Sequence, residues 1–218
     1  MAPRCALVVM ARYPEPGAVK TRLARTRGAA AACRLYLAFV QDLDARFRGQ
    51  DRDLVWAFHP PDRDFAALVA PGVRCLAQEG DDLGERMHRC FRRLCAEGYV
   101  RVVMIGADIP HVRDEWIADA ETALDHADVA LGPATDGGYY LVAMRAAHDV
   151  FTGVPMGTPR VLHETRAKAA RAGLRVQLLP ESFDVDTQDD LTRLRELLRR
   201  DEYAGWLPRT AAVLASEF

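Results

Sequence analysis

The sequence predicts an α/β fold on a mostly parallel sheet covered by helices, and three observations carry that expectation. Short runs rich in valine, leucine and isoleucine recur along the chain, longer segments carry apolar residues at helical spacing, and the two kinds alternate. Strands buried on both faces read as near-continuous apolar runs, as helices on both sides of a parallel sheet require.

Taken in order, "CALVVM" sets a first strand at Ala6 to Met10. It gives way to "ARYPEPGAVKTRLA", where Pro14, Pro16 and Gly17 make a loop and Lys20, Thr21 and Arg22 open a helical turn. Ala29 to Phe47 has helical period, and Leu54 to Phe58 and Val73 to Ala77 are the second and third strands. A helix over Leu83 to Glu97 leads to a fourth strand at Val100 to Ile105 and a helix at Arg113 to His126. Val129 to Gly132 and Tyr139 to Ala143 flank an Asp136-Gly137-Gly138 turn. Pro159 to Ala172 is helical, Arg175 to Leu179 is a seventh strand, and Thr187 to Arg200 is again helical. The tail from Asp201, with Tyr203, Trp206 and Leu207, is expected as a helix or arm packed on the core, or as a homodimer contact.

With 218 residues, half of them apolar, and no linker or repeat, residues 1–218 are expected to form a single domain. A net charge of −2 gives no sequence-wide field for nucleic acid or anionic membrane, so any polyanion is expected to be small and held locally. Five cysteines, odd in number and with no C-x-x-C pair, read as reduced thiols. No stretch has the length of a signal peptide or membrane span, so the expected location is the cytoplasm.

In open α/β sheets ligands bind beyond the carboxyl ends of the strands, which directs attention to residues just after each apolar run. Lys20, Arg22 and Arg25 come after the first strand in a place that lacks both P-loop and dinucleotide spacing. Cations where a helix begins oppose its dipole unless an anion sits among them; the other reading is a solvated face. "VVMIGADIPHV" places Asp108 at the mouth of a central strand, suited to a hard cation or to a turn or helix cap, and His111 has no partner histidine. In "LGPATDGGYYLVAM", Gly137 and Gly138 make a hairpin turn and leave backbone open to a substrate. In "SFDVDTQDDL", Asp184 and Asp186 alternate about Val185, so both fall on one side of an extended segment, while Asp186 or Thr187 also resembles an N-cap. "LAQEGDDLGERM" offers Gln78 for a base edge, with Gly80 and Gly84 exposing backbone.

Together "ARYPEPGAVKTRLA", "QEGDDLGERM", "GADIPHV", "LGPATDGGYYL", "GTPRVL" and "FDVDTQDDL" resemble a family of bacterial transferases associated with radical-SAM or selenodomain proteins, some of them labelled arsenosugar-biosynthesis glycosyltransferases. The resemblance covers Ala6 to Leu194 and implies a single-domain, Rossmann-like GT-A fold of the nucleotide-diphospho-sugar transferase type, a three-layer fold with a mostly parallel mixed sheet. The "VKTRL" stretch and the aspartate-threonine helix start also look like guanylyltransferases acting on phospholactate and molybdenum-cofactor nucleotidyltransferases. By that resemblance Gly17, Lys20 and Arg22 take phosphates, with Gln78 and Gly84 beside the nucleotide. Asp108 takes the first metal role for Mg²⁺ or Mn²⁺ and Asp186, more than Asp184, the second; apart from the resemblance, Asp136, Gly137, Gly138 and Thr158 are expected to take the substrate. Ile109, His111 and Met156 depart from the family pattern, which bears on the acceptor more than on the nucleotide.

The expected activity is metal-dependent nucleotidyl transfer from an NTP to a small phosphorylated acceptor, with Lys20, Asp108 and Asp186 as the catalytic set. Glycosyl transfer from a nucleotide-sugar is the alternative, with Asp136 or His111 as base, and a non-catalytic nucleotide-binding subunit is a third reading.

Overall fold

The computed structural model describes residues 4–218. Seven strands form one sheet: β1 (Cys5–Arg12), β2 (Asp53–His59), β3 (Arg74–Ala77), β4 (Arg101–Gly106), β5 (Val129–Pro133), β6 (Tyr139–Met144) and β7 (Val176–Leu178). Their order is β3-β2-β1-β4-β6-β5-β7, and only β6 runs antiparallel to its neighbours. All seven strands lie where the apolar runs place them.

Alternation along the strands builds two cores. Leu7, Val9, Trp56, Phe58, Val103 and Ile105 face one side, and Ala6, Val8, Val55, Ala57, Val102 and Met104 face the other. Helices α2 (Ala29–Phe47), α4 (Asp114–Ala123), α6 (Gln188–Leu198) and α7 (Pro208–Glu217) contribute to the first core, as do α3 (Leu83–Ala96) and α5 (Val161–Arg171) to the second. Burial on both faces is why these strands carry unbroken apolar runs rather than alternation with polar residues.

The expected helices form with trimmed ends: α4 stops at Ala123, short of His126, and β7 keeps three residues. A further helix, α1 (Thr21–Arg27), is separated from α2 by Gly28 at φ +83°. Arg25 therefore lies in the last turn of α1, where a cation complements the dipole; only Lys20, at the N-cap, and Arg22 stand at its start. The tail folds as α7 and packs on α2. Buried Asp42 accepts the backbone N–H groups of Arg209 (3.2 Å) and Thr210 (2.8 Å) at the helix start. Among the described residues no helix is long and apolar enough to cross a membrane.

Candidate active site

The strand order reverses between β1 and β4, which run parallel with Met10 opposite Gly106. At such a point the loops leaving neighbouring strands part and leave a crevice. The N–H of Ala107 donates to the Met10 carbonyl (3.0 Å), fixing Arg12 and Asp108 at the same open edge. The Val185 N–H donates to the Asp108 carbonyl (2.9 Å), which brings the Asp184-Val185-Asp186 segment to that edge as well. Val185 is buried, and its two aspartates stay on the open side, as their spacing predicts.

Two compartments meet there. The smaller, of about 280 Å³, is walled by Arg12, Lys20, Arg22, Asp108, Asp186 and the chain from Ala18 to Thr21. The larger, of about 490 Å³, reaches from His59, Gln78 and Arg86 across Met10, Met104 and Met156 to Asp136, Gly138, Thr158 and Asp184. Arg12, Tyr36 and Asp108 are common to both.

Lys20 holds the smaller compartment together. It is the one non-glycine residue at positive φ (49°) among those described, a left-handed conformation that costs an L-residue about 1–2 kcal/mol. The turn drives its side chain inward, where 1% is exposed, and its ammonium touches Asp108 and lies 3.0 Å from Asp186 Oδ1. Burial pulls the Lys20 pKa down, but the two carboxylates outweigh that and leave it raised, so the ammonium stays charged. The N-cap duty falls elsewhere: Thr187 accepts the Asp190 N–H, and Asp190 accepts that of Thr187. Asp186 is thus left to the site.

The carboxylates are crowded. Burial first, and then the charge of Asp108, push Asp184 up to about 7; Asp136 and Asp186 add to this and Lys20 opposes it. Such a cluster favours a cation, and the oxygens of Asp108 and Asp186, 46% and 41% exposed, are the hard donors Mg²⁺ or Mn²⁺ prefers. The three aspartates do not converge as a cage: Asp184 faces the larger compartment and Asp186 the smaller, and among the described residues no three acidic, His or Cys side chains are grouped for a metal. A carboxylate pair whose remaining ligands come from substrate phosphates is the usual Mg²⁺ arrangement.

Several expected residues serve other ends. Gly137 is covered rather than open, because a Cβ there would meet the Pro159 carbonyl oxygen at 2.2 Å. Gly84 likewise lets α3 approach Phe151, whose carbonyl oxygen would lie 2.9 Å from a Cβ. Gly17, at φ +84°, turns the chain outside both compartments. Gln78 lines the larger cavity, but its amide nitrogen donates to the carbonyls of Ala57 (2.7 Å) and Ala11 (3.3 Å), tying β2 to β1. Thr158 and Gly138 do line that cavity, as does Asp136, which accepts the Gly138 N–H (2.8 Å). His111 is fully buried against Phe183 (ring centroids 4.3 Å apart). Burial, then Arg193 and Arg46, bring it down to about 3, so it is a neutral core histidine outside both compartments. Arg12 and Tyr36 went unsignalled in sequence: Arg12 lies past the expected end of the first strand, and Tyr36 fits the apolar face of α2.

Relatives share this architecture. The chain is similar to a crystal structure from Desulfovibrio desulfuricans G20 provisionally described as a nucleotide-diphospho-sugar transferase, with 37% identity, a TM-score of 0.84, and 99% and 98% of the two chains covered. It is 29% identical over 213 residues to 2-phospho-L-lactate guanylyltransferase of Methanothermobacter thermautotrophicus, with 90% of each covered. The fold alone is shared with 4-diphosphocytidyl-2C-methyl-D-erythritol synthase of Anaerococcus prevotii, at 9% identity and a TM-score of 0.59 over 91% and 99% of the chains. A family model matches residues 23–158, and the chain belongs to that family, described as an uncharacterized protein conserved in bacteria (DUF2064).

Proposed function

We propose that this chain is a nucleotidyltransferase that moves NMP from an NTP onto a small phosphorylated acceptor and releases pyrophosphate. The observation that carries the reading is the charged Lys20, buried in a left-handed turn between two half-exposed carboxylates, in a basic compartment that opens onto a larger cavity. The likeness to a guanylyltransferase over 90% of both chains supports it.

Lys20, Arg12 and Arg22 take the phosphate chain, and the larger cavity takes the nucleoside and acceptor. An acceptor phosphate oxygen attacks the α-phosphorus, a new P–O bond forms, the α–β P–O bond breaks, and its electron pair leaves with pyrophosphate. Positioning and charge neutralisation are the main demands of such chemistry, and they match what the side chains here supply. Asp108 and Asp186 would hold Mg²⁺ or Mn²⁺, which when bound offsets charge on the phosphate oxygens. An anionic acceptor needs no protein base, and His111 is not available as one.

Incubation of the protein and Mg²⁺ with each NTP or nucleotide-sugar, and with small phosphorylated or hydroxylated acceptors, tests this by mass spectrometry. Acceptor-dependent pyrophosphate is expected, lost on chelation with EDTA; acceptor-dependent nucleoside diphosphate from a nucleotide-sugar refutes the reading. Asp108→Ala should lower turnover by about a thousandfold with the fold intact, and wild-type turnover would remove Asp108 from the site.

A further inference from the structure

We propose that Tyr36 is a phosphate-contacting residue of this site, donating its phenol proton to an oxygen of the anion that spans the two compartments. The inference rests on the nucleotidyl-transfer reading and adds to it a neutral donor at the wall the compartments share.

Three side chains form that wall, and Tyr36 is the uncharged one. It is 2% exposed, yet it reaches both compartments from the middle of α2. Its oxygen accepts the backbone N–H of Arg12 at 3.0 Å, so the acceptor side of the phenol is engaged with the end of β1. A phenol also carries one donor, and among the described residues no hydrogen bond donated by Tyr36 is found. That donor is available to an anion oxygen at the wall the compartments share. The ring also supports the cation, because Lys20 Nζ stands 5.6 Å from its centroid and 5.6 Å from that of Phe39, so two buried aromatics back the ammonium. Burial first, and then the charge of Asp108, hold the phenol well above its ordinary pKa, so the proton is present at neutral pH.

Tyr36→Phe keeps the ring and removes the donor. Calorimetric titration of wild type and variant with Mg²⁺ and each of the four NTPs, with the matching nucleosides, and with inorganic tripolyphosphate separates the outcomes. The expected result is about a tenfold weaker affinity of the variant for NTP and tripolyphosphate, unchanged affinity for the nucleoside, and a retained thermal transition. Equal affinity of the two proteins for tripolyphosphate overturns the inference, and so does an equal loss for the nucleoside, which would make Tyr36 a packing residue. If wild type binds tripolyphosphate but no NTP, the nucleotidyl reading fails while Tyr36 is still judged by the tripolyphosphate arm. A measurement on the folded wild type guards against an unstable variant. The tyrosine ultraviolet difference spectrum should shift when tripolyphosphate accepts the proton, and its absence counts against the proposal.

Discussion

Replacing Lys20 by Met separates the chemical role of the ammonium from its structural one. Methionine keeps the buried stem and its volume, so the change is chiefly one of charge. At 3.0 Å and an effective dielectric of about 20, the Lys20–Asp186 attraction is on the order of 5 kcal/mol before desolvation. Asp186 and Asp108 are 41% and 46% exposed, however, so solvent reduces each pair to about 1 kcal/mol. Against that loss stands the cost of burying the ammonium itself, several kcal/mol, which the substitution removes. Net stability should therefore change by no more than about 2 kcal/mol, a shift in Tm of roughly 4–8 °C at most for a chain of this length. Activity should fall much further: one preorganised charge at the phosphates of a reaction is worth about a hundredfold to a thousandfold in turnover. Lys20→Arg should not restore it, because a planar guanidinium does not set a compact charge between Asp108 and Asp186 as the ammonium does. Scanning calorimetry and pyrophosphate release below Tm read the two effects separately. Turnover within threefold of wild type refutes the argument, and so does a loss of turnover that only tracks the unfolded fraction.

Two more outcomes are expected from contacts away from the phosphates. Asp42→Ala orphans the N–H groups of Arg209 and Thr210 at the partly buried start of α7, at about 1–2 kcal/mol each, so Tm should drop by roughly 4–16 °C; turnover below the transition should be unchanged, and a Tm shift under 2 °C would show that α7 needs no cap. Burial pushes the Asp149 carboxyl up, but hydrogen bonds from Thr152, Lys168 and Phe151 outweigh it and hold the pKa at about 2. A depressed carboxyl stabilises the fold above its unfolded value near 3.8 and loses that contribution as pH falls toward 2. Asp149→Asn should flatten acid unfolding in that window, and an unaltered profile by circular dichroism would contradict the assignment.

The fold was legible because its determinants are local. Leu7 and Val9 pack on one face of β1 and Ala6 and Val8 on the other, so a run of six apolar residues announces a doubly covered strand. The tail was less legible, since the carboxylate that starts α7 belongs to Asp42, 168 positions before Thr210. Within the site, Lys20, Asp108 and Asp186 stand out as charged residues just beyond apolar runs, and Lys20 does meet both carboxylates. The glycines were harder. A glycine pattern is the same whether it opens backbone to a ligand or admits another backbone, and at Gly84 and Gly137 the neighbour is Phe151 or Pro159. Tyr36 was hidden for the opposite reason, because a tyrosine at helical spacing looks like core, and here it is core that also reaches the cavity.

The distribution of charge bears on which nucleophile the proposed reaction can use. Transfer to a neutral hydroxyl calls for a base within reach; His111 lies beneath Phe183 with its proton affinity lowered by burial, and one oxygen of Asp136 is tied to the Gly138 N–H. Asp184 also faces the larger cavity, and it is held up at about 7 by burial and by the charge of Asp108. A cation on Asp108 would offset the second of those causes and lower Asp184, which makes it a weaker base. The state in which the phosphates are best held is thus the one in which Asp184 is least able to take a proton. An acceptor that arrives already ionised avoids that conflict, which is an argument for the proposed phosphate oxygen over a sugar hydroxyl as the attacking group.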